Sequence, residues 1–309
     1  MTTTGLDNRK LSIPGDIRDN FDEKSRLTKF LLLLSLKRLN VLQLKFQDGK
    51  MINKKIIAIA NQNGGVGKTT TTMNLGAALS ESRESILLID FDLQGTLTIA
   101  HGFDSDNLSN TIYNALIDHD FNIKKTILKT GNGPNLIPAN LDLSAAEVEL
   151  LNKLGRETYL KESLKSLRAS YDFIFIDCPP SLGLLTIDAL VAADAVIIPV
   201  TTQYLRFRGL KLLLETIGKV RDKFNHSLPP PKILPTMFQS HTIHSREVLE
   251  ELKNTFGCQV FETVILHTVR LAEAPISGQS ILKYEKTSPH AEAFCNLGKE
   301  VEAWLSVNQ

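Results

Sequence analysis

The chain has little cysteine: Cys178, Cys258 and Cys295 stand far apart in 309 residues, their number is odd, and no Cys-x-x-Cys pair exists. A disulfide framework, a zinc site and an iron–sulfur cluster therefore lack their usual ligands, and a reduced, cytoplasmic protein is expected. An excess of charge of one sign is also missing. The net charge is +1, which argues against a protein that coats nucleic acid over its whole surface. Any such binding must come from a local patch. The near-neutral balance hides an asymmetry, because residues 1–50 hold ten Lys or Arg against six Asp or Glu, a net +4, leaving −3 for residues 51–309. Long apolar runs are absent from that first stretch too: its unbroken run, residues 30–34, is five residues, far below the ~20 that span a bilayer.

Residues 1–50 read differently from all that follows. A polar start with Pro14 and several acids leads into a leucine-rich, basic segment from Leu27 to Phe46. The acids and the long polar lead speak against a secretory signal. One reading is a basic amphipathic helix that meets a membrane surface, DNA or a partner. The other is an artefact of start-site choice, since Met51 is followed at once by Ile52-Asn53-Lys54-Lys55 and the first strand. The second is the expectation here, so that 1–50 is an N-terminal extension and 51–309 one domain.

From Lys54 the pattern repeats as strand, helix, strand. Apolar runs occur at 56–60, 85–92, 171–177, 195–200 and 232–237, the last with Pro235 marking an edge or a strand end. Helices are expected at 144–169 with a break near Gly155, and at 182–191, 206–224, 244–256 and 289–305. Near-continuous apolar strands separated by helices predict an α/β fold, a doubly wound, mostly parallel sheet with helices on both faces. Ligands in such sheets bind at the carboxyl ends of the strands.

One stretch sits at such an end. Asn61-Gln62-Asn63-Gly64-Gly65-Val66-Gly67-Lys68-Thr69-Thr70 follows the first strand and opens onto a helical pattern. Glycines let the backbone turn sharply and present several N–H groups to one anion, and the helix adds its positive end. Lys68 is a point charge for β- and γ-phosphates, and the Thr69 hydroxyl a ligand for Mg²⁺. A P-loop nucleotide site is expected, with 63–70 as its cradle.

Two further acids end strands. Asp177 precedes Cys178-Pro179-Pro180-Ser181-Leu182-Gly183. There it can support Mg²⁺ through water, with the following segment as a switch that senses the γ-phosphate. Cys178 reads as a small buried neighbour rather than a nucleophile. Asp90 and Asp92, two apart in a strand, point to one side, and Asp92, further out, is the better candidate to orient the attacking water. Lys68, Asp92 and Asp177 are thus the expected catalytic groups, because phosphoryl transfer asks mainly for positioning and charge neutralisation.

The glycine loop lacks the Gly five positions before Gly67 that the usual pattern carries, and resembles instead the deviant form Lys-Gly-Gly-x-Gly-Lys-Thr of ParA and MinD-type ATPases. With Asp90-Phe91-Asp92-Leu93-Gln94-Gly95, residues 176–186 and Val269-Arg270-Leu271-Ala272-Glu273-Ala274-Pro275, the chain resembles ParA/Soj-type partition ATPases over 54 to about 305. The resemblance implies an ATPase that uses ATP and Mg²⁺, forms a homodimer on ATP and binds DNA without sequence preference. It also implies a nucleoid-associated protein whose slow hydrolysis is stimulated by a ParB-like activator. Arg270 matches a basic residue implicated in DNA binding.

Three places depart from the family pattern. Asn63 replaces the lysine that in relatives crosses the dimer to the partner's ATP, His241 stands where Arg is usual, and Leu266-His267 occupy commonly basic positions. ATP binding should persist through Lys68 and Thr69, while hydrolysis and DNA retention weaken. One alternative is a MinD-like positioning ATPase at a membrane. The acidic, short tail Glu300-Val301-Glu302-Ala303-Trp304-Leu305 disfavours it, so no stable membrane association is expected. A second alternative is a nucleotide-gated adaptor that barely turns ATP over.

Overall fold

A computed structural model describes residues 54–307, apart from 83, 119, 132 and 204–206. The expectations for residues 1–50 lie outside the described residues.

Six strands form the sheet: β1 (Lys55–Ile59), β2 (Ile86–Asp90), β3 (Asn135–Ile137), β4 (Phe173–Asp177), β5 (Ala195–Thr201) and β6 (Lys232–Thr236). Their spatial order is β3-β2-β4-β1-β5-β6, and every neighbouring pair runs parallel. Parallel neighbours need crossovers, which the helices supply. These are α1 (Lys68–Glu81), α2 (Thr96–Ala100), α3 (Ile112–Ile117), α4 (Leu143–Leu150), α5 (Tyr159–Arg168), α6 (Leu184–Ala192), α7 (Phe207–Lys223) and α8 (Ile243–Phe256). After β6 and α8 come α9 (Arg270–Ile276), α10 (Ile281–Tyr284) and α11 (Pro289–Val307).

Successive strand residues face opposite sides, and both sides are apolar because both are covered. Ile56, Ala58, Leu87, Ile89, Ile174 and Ile176 pack into one cluster with residues of α3 to α8. Ile57, Ile59, Leu88, Phe173 and Phe175 pack into another with α1, α2 and α9 to α11. Gly76, inside α1, lets that helix lie close on β2, since a Cβ there would stand 2.6 Å from a Leu88 methyl carbon. The doubly wound α/β fold is as expected.

The helix expected at 144–169 does break near Gly155, which has φ 70°: α4 stops at Leu150 and α5 begins at Tyr159. The differences lie in short elements. β3 was not anticipated, because three residues are too few to show a period. Pro235 sits in β6 at the sheet edge, where a missing N–H donor is tolerated. Register places Ile59 level with Asp177, and Asp177 level with Asp90. The carboxyl ends of β1, β2 and β4 therefore open onto one crevice.

Candidate nucleotide site

The glycine loop leaves β1 at Ala60 and closes at Gly67, which takes the left-handed conformation (φ 87°) and begins α1 without any side-chain cap. The first N–H groups of this fourteen-residue helix consequently have no protein acceptor from a cap, and the first turn carries no acid. That arrangement favours a bound anion. Gly64 and Gly65 are exposed, and a Cβ on either would meet nothing within 4 Å. Open space thus lies over the loop where phosphates fit.

Three anchors that the sequence reading missed hold the loop in place. Buried Asn61 donates its amide to the Pro199 carbonyl at 2.7 Å and accepts from the Asn63 N–H at 2.9 Å, tying the loop to β5. The Thr236 hydroxyl at the end of β6 donates to the Val66 carbonyl at 2.9 Å. Asn74, also buried, joins Thr70 on α1 to the N–H of Ile281 at the start of α10. Asparagine and threonine at strand and helix ends were the available signal, but their partners are 130 to 210 residues away in sequence. Met237, next to Thr236, has φ 54°, an uncommon conformation for a side-chain-bearing residue that tends to occur at functional sites. It lines a cavity of about 150 Å³ with Asn63, Gly64, Gly65 and Val66.

The expected catalytic groups converge. The Lys68 ammonium is buried and donates to the Asn63 carbonyl at 3.0 Å. Burial lowers its pKa, while Asp177, Cys178 and Asp92 pull it back up. Asp177 is fully buried; its Oδ1 accepts from the Thr72 hydroxyl at 3.4 Å, and its Oδ2 has no hydrogen-bond partner. Burial first, and then Asp90, push its carboxyl up to about 8, against the pull of Thr69 and Lys68. An unpartnered buried carboxylate oxygen beside Thr69 costs on the order of 1–3 kcal/mol, and it fits a hydrated divalent cation. Asp92 lies just beyond β2, half-buried, close enough to act on both Lys68 and Asp177. Thr69 and Thr70 are half-buried on the first turn of α1. Cys178 is buried, and burial drives its thiol pKa upward, as suits a packing residue.

One placement differs from the expectation. Asp90 and Asp92 do not work as a pair facing the crevice: Asp90 closes β2 and turns to Thr98, while only Asp92 stands in the loop. Arg270 is exposed at the start of α9 and ion-paired with Glu273 at 2.8 Å. His241 and Leu266-His267 lie on neighbouring segments, because Phe238 bridges Leu266 and the His267 N–H donates to the Phe238 carbonyl at 3.0 Å.

A family model described as "AAA domain" matches residues 54–229. Over 249 residues the chain is 43% identical to the sporulation initiation inhibitor protein Soj of Bacillus subtilis, covering 81% of this chain and 98% of Soj. The chain belongs to the ParA/Soj-type family of ATPases. It is also 44% identical over 248 residues to the chromosome partitioning protein ParA of Myxococcus xanthus, 80% of this chain and 87% of that one. Among solved structures, the cobyrinic acid a,c-diamide synthase of Mycobacterium smegmatis, with bound ATP analog and magnesium, is similar at a TM-score of 0.73 and 36% identity. That match covers 82% of this chain and 97% of the other. Among the described residues no helix is long and apolar enough to cross a membrane.

Proposed function

We propose that this ParA/Soj-type ATPase binds ATP with Mg²⁺ in the glycine loop and uses it to position chromosome or plasmid DNA. The observation that carries the reading is the buried Asp177 Oδ2, without a hydrogen-bond donor, at the foot of a loop that presents Lys68 and an uncapped helix start. Mg²⁺, when bound, would supply positive charge that neutralises the phosphates during transfer. Loop amides 64–70 bind the phosphates, and Lys68 leaves the Asn63 carbonyl for them. The Thr69 hydroxyl would hold the metal, and Asp177 would support it through water. Asp92 accepts from and orients the water that attacks.

In this reading two copies close on ATP, the closed dimer binds DNA without sequence preference through a surface that includes Arg270, and a ParB-like protein accelerates hydrolysis. The protein is then cytoplasmic and nucleoid-associated. Asn63 weakens turnover, because a cation that neutralises transferring phosphate is worth ~10³-fold or more when it acts like an arginine finger. Support comes from the family and from the placement of Lys68, Thr69, Asp92 and Asp177 in one crevice.

The test is ATP-dependent DNA binding across a salt series, with dimerisation followed in parallel by light scattering. ATP should raise both together, and DNA affinity should fall linearly in log–log form with salt. DNA affinity that is equal with and without ATP, in a chain that stays monomeric, would overturn it.

A further inference from the structure

We infer that Asp90 is a positioning residue for turnover, fixing the loop that carries Asp92; the inference rests on the reading of Asp92 as the group that orients water. Asp90 is the last residue of β2 and is 0% exposed, so it meets neither nucleotide nor bulk water. Its Oδ2 accepts from the Thr98 N–H at 2.8 Å and the Thr98 hydroxyl at 2.7 Å. Its Oδ1 faces the Asp92 N–H at 3.3 Å. One carboxylate thus grips both ends of the turn between β2 and α2.

The grip is backed on each side. Thr98, also 0% exposed, accepts through the same hydroxyl from the Ala139 N–H at 3.1 Å, just past β3. The Phe91 N–H donates to the Asp177 carbonyl at 3.1 Å. Inside the turn, the Asp92 carbonyl accepts from Gly95 at 2.9 Å and its carboxylate from the Gln94 N–H at 3.1 Å. Asp92 is therefore the free end of a turn whose base is closed by Asp90. Asparagine at 90 keeps the volume but presents N–H groups to one of these donors, so it releases either Asp92 or Thr98. Misplacing a reacting group by about 1 Å can cost ~10²-fold in rate, while binding groups at 63–70 are untouched.

The experiment uses the full chain and compares Asp90→Asn, Thr98→Val, Thr98→Ser and Asp92→Ala by phosphate release, ATP affinity and amide hydrogen exchange. Asp90→Asn is expected to lower kcat at least about tenfold with ATP affinity within about twofold. It should also speed exchange of amides 91–98 and leave 64–70 protected. Thr98→Val moves the same readouts the same way, and Thr98→Ser, which keeps the hydroxyl, restores them. If Asp90→Asn does not fold, the Thr98 pair decides. Wild-type kcat and exchange in Asp90→Asn overturn the inference. So does a joint loss of affinity and kcat in which Thr98→Ser behaves no better than Thr98→Val, since that is general loss of fold. Asp92→Ala at wild-type turnover removes the reading beneath it. Turnover lost in Asp92→Ala but kept in Asp90→Asn overturns this inference alone.

Discussion

Lys68 donates its ammonium to the Asn63 carbonyl at 3.0 Å, so the loop's one lysine rests on the backbone of the residue that departs from the family pattern. The contact uses the Asn63 main chain, and the side chain is left to face Gly209, whose Cβ, if present, would stand 3.2 Å from the Asn63 amide nitrogen. A lysine at 63 retains the carbonyl that Lys68 meets and adds a positive charge.

Asn63→Lys is accordingly expected to raise phosphate release by at least about tenfold, and by up to ~10³-fold with DNA and a ParB-like activator present. ATP affinity should change by less than about twofold, since the carbonyl is retained. Equal rates for both proteins under all conditions would remove the proposed role of position 63.

Thr236 fixes the loop from the far side of the sheet. Thr236→Val removes the donor to the Val66 carbonyl and leaves a buried acceptor unpaired, a loss of about 1 kcal/mol or more. ATP should bind about fivefold more weakly, measured by titration with a fluorescent analogue, with the fold otherwise intact. An unchanged affinity would show that the glycine loop needs no support from β6.

Arg270 is paired with Glu273 and exposed. Glu273→Gln frees the guanidinium, and DNA affinity at low salt should rise, with the salt slope steeper by about one ion. Arg270→Ala should weaken binding by a similar factor for all sequences. If neither change alters the slope, Arg270 does not meet phosphate.

Asp188, fully buried in α6, makes no hydrogen bond of good geometry through either oxygen, with only the Leu160 N–H directed toward it. Burial pushes its carboxyl up to about 8; Glu157 adds to this, and the Leu160 N–H at the start of α5 opposes it. The folded-state pKa lies above the unfolded one, so the stability from this neutral group is complete below about pH 4 and is lost as pH rises through 8. Relative to Asp188→Asn, the wild-type chain should lose about 1–3 kcal/mol of unfolding free energy between about pH 5 and 8, read from urea curves. A constant difference across that range would show the carboxyl ionised throughout.

Long, locally patterned features were legible in the chain. Five apolar runs became β1, β2, β4, β5 and β6, and the Asn63 to Thr70 stretch stands at the β1–α1 junction. β3 and the helices α2, α3, α9 and α10, of four to seven residues, were not, because their geometry is imposed by what they pack against. Asp90 and Asp92 show the limit most clearly. Spacing of two puts them on one side of a strand, but the strand ends at Asp90, and from there a turn governs direction.

What the sequence determined by itself is the order of elements and the chemistry at their ends, since hydrophobic period and glycine content act within a few residues. Tertiary structure alone decided how that chemistry is held. Asn61 with Pro199, Thr236 with Val66, Asn74 with Ile281 and the unpartnered Asp177 Oδ2 depend on contacts between distant segments. No local pattern encodes such contacts, because burial and hydrogen bonding are settled only when the sheet has closed.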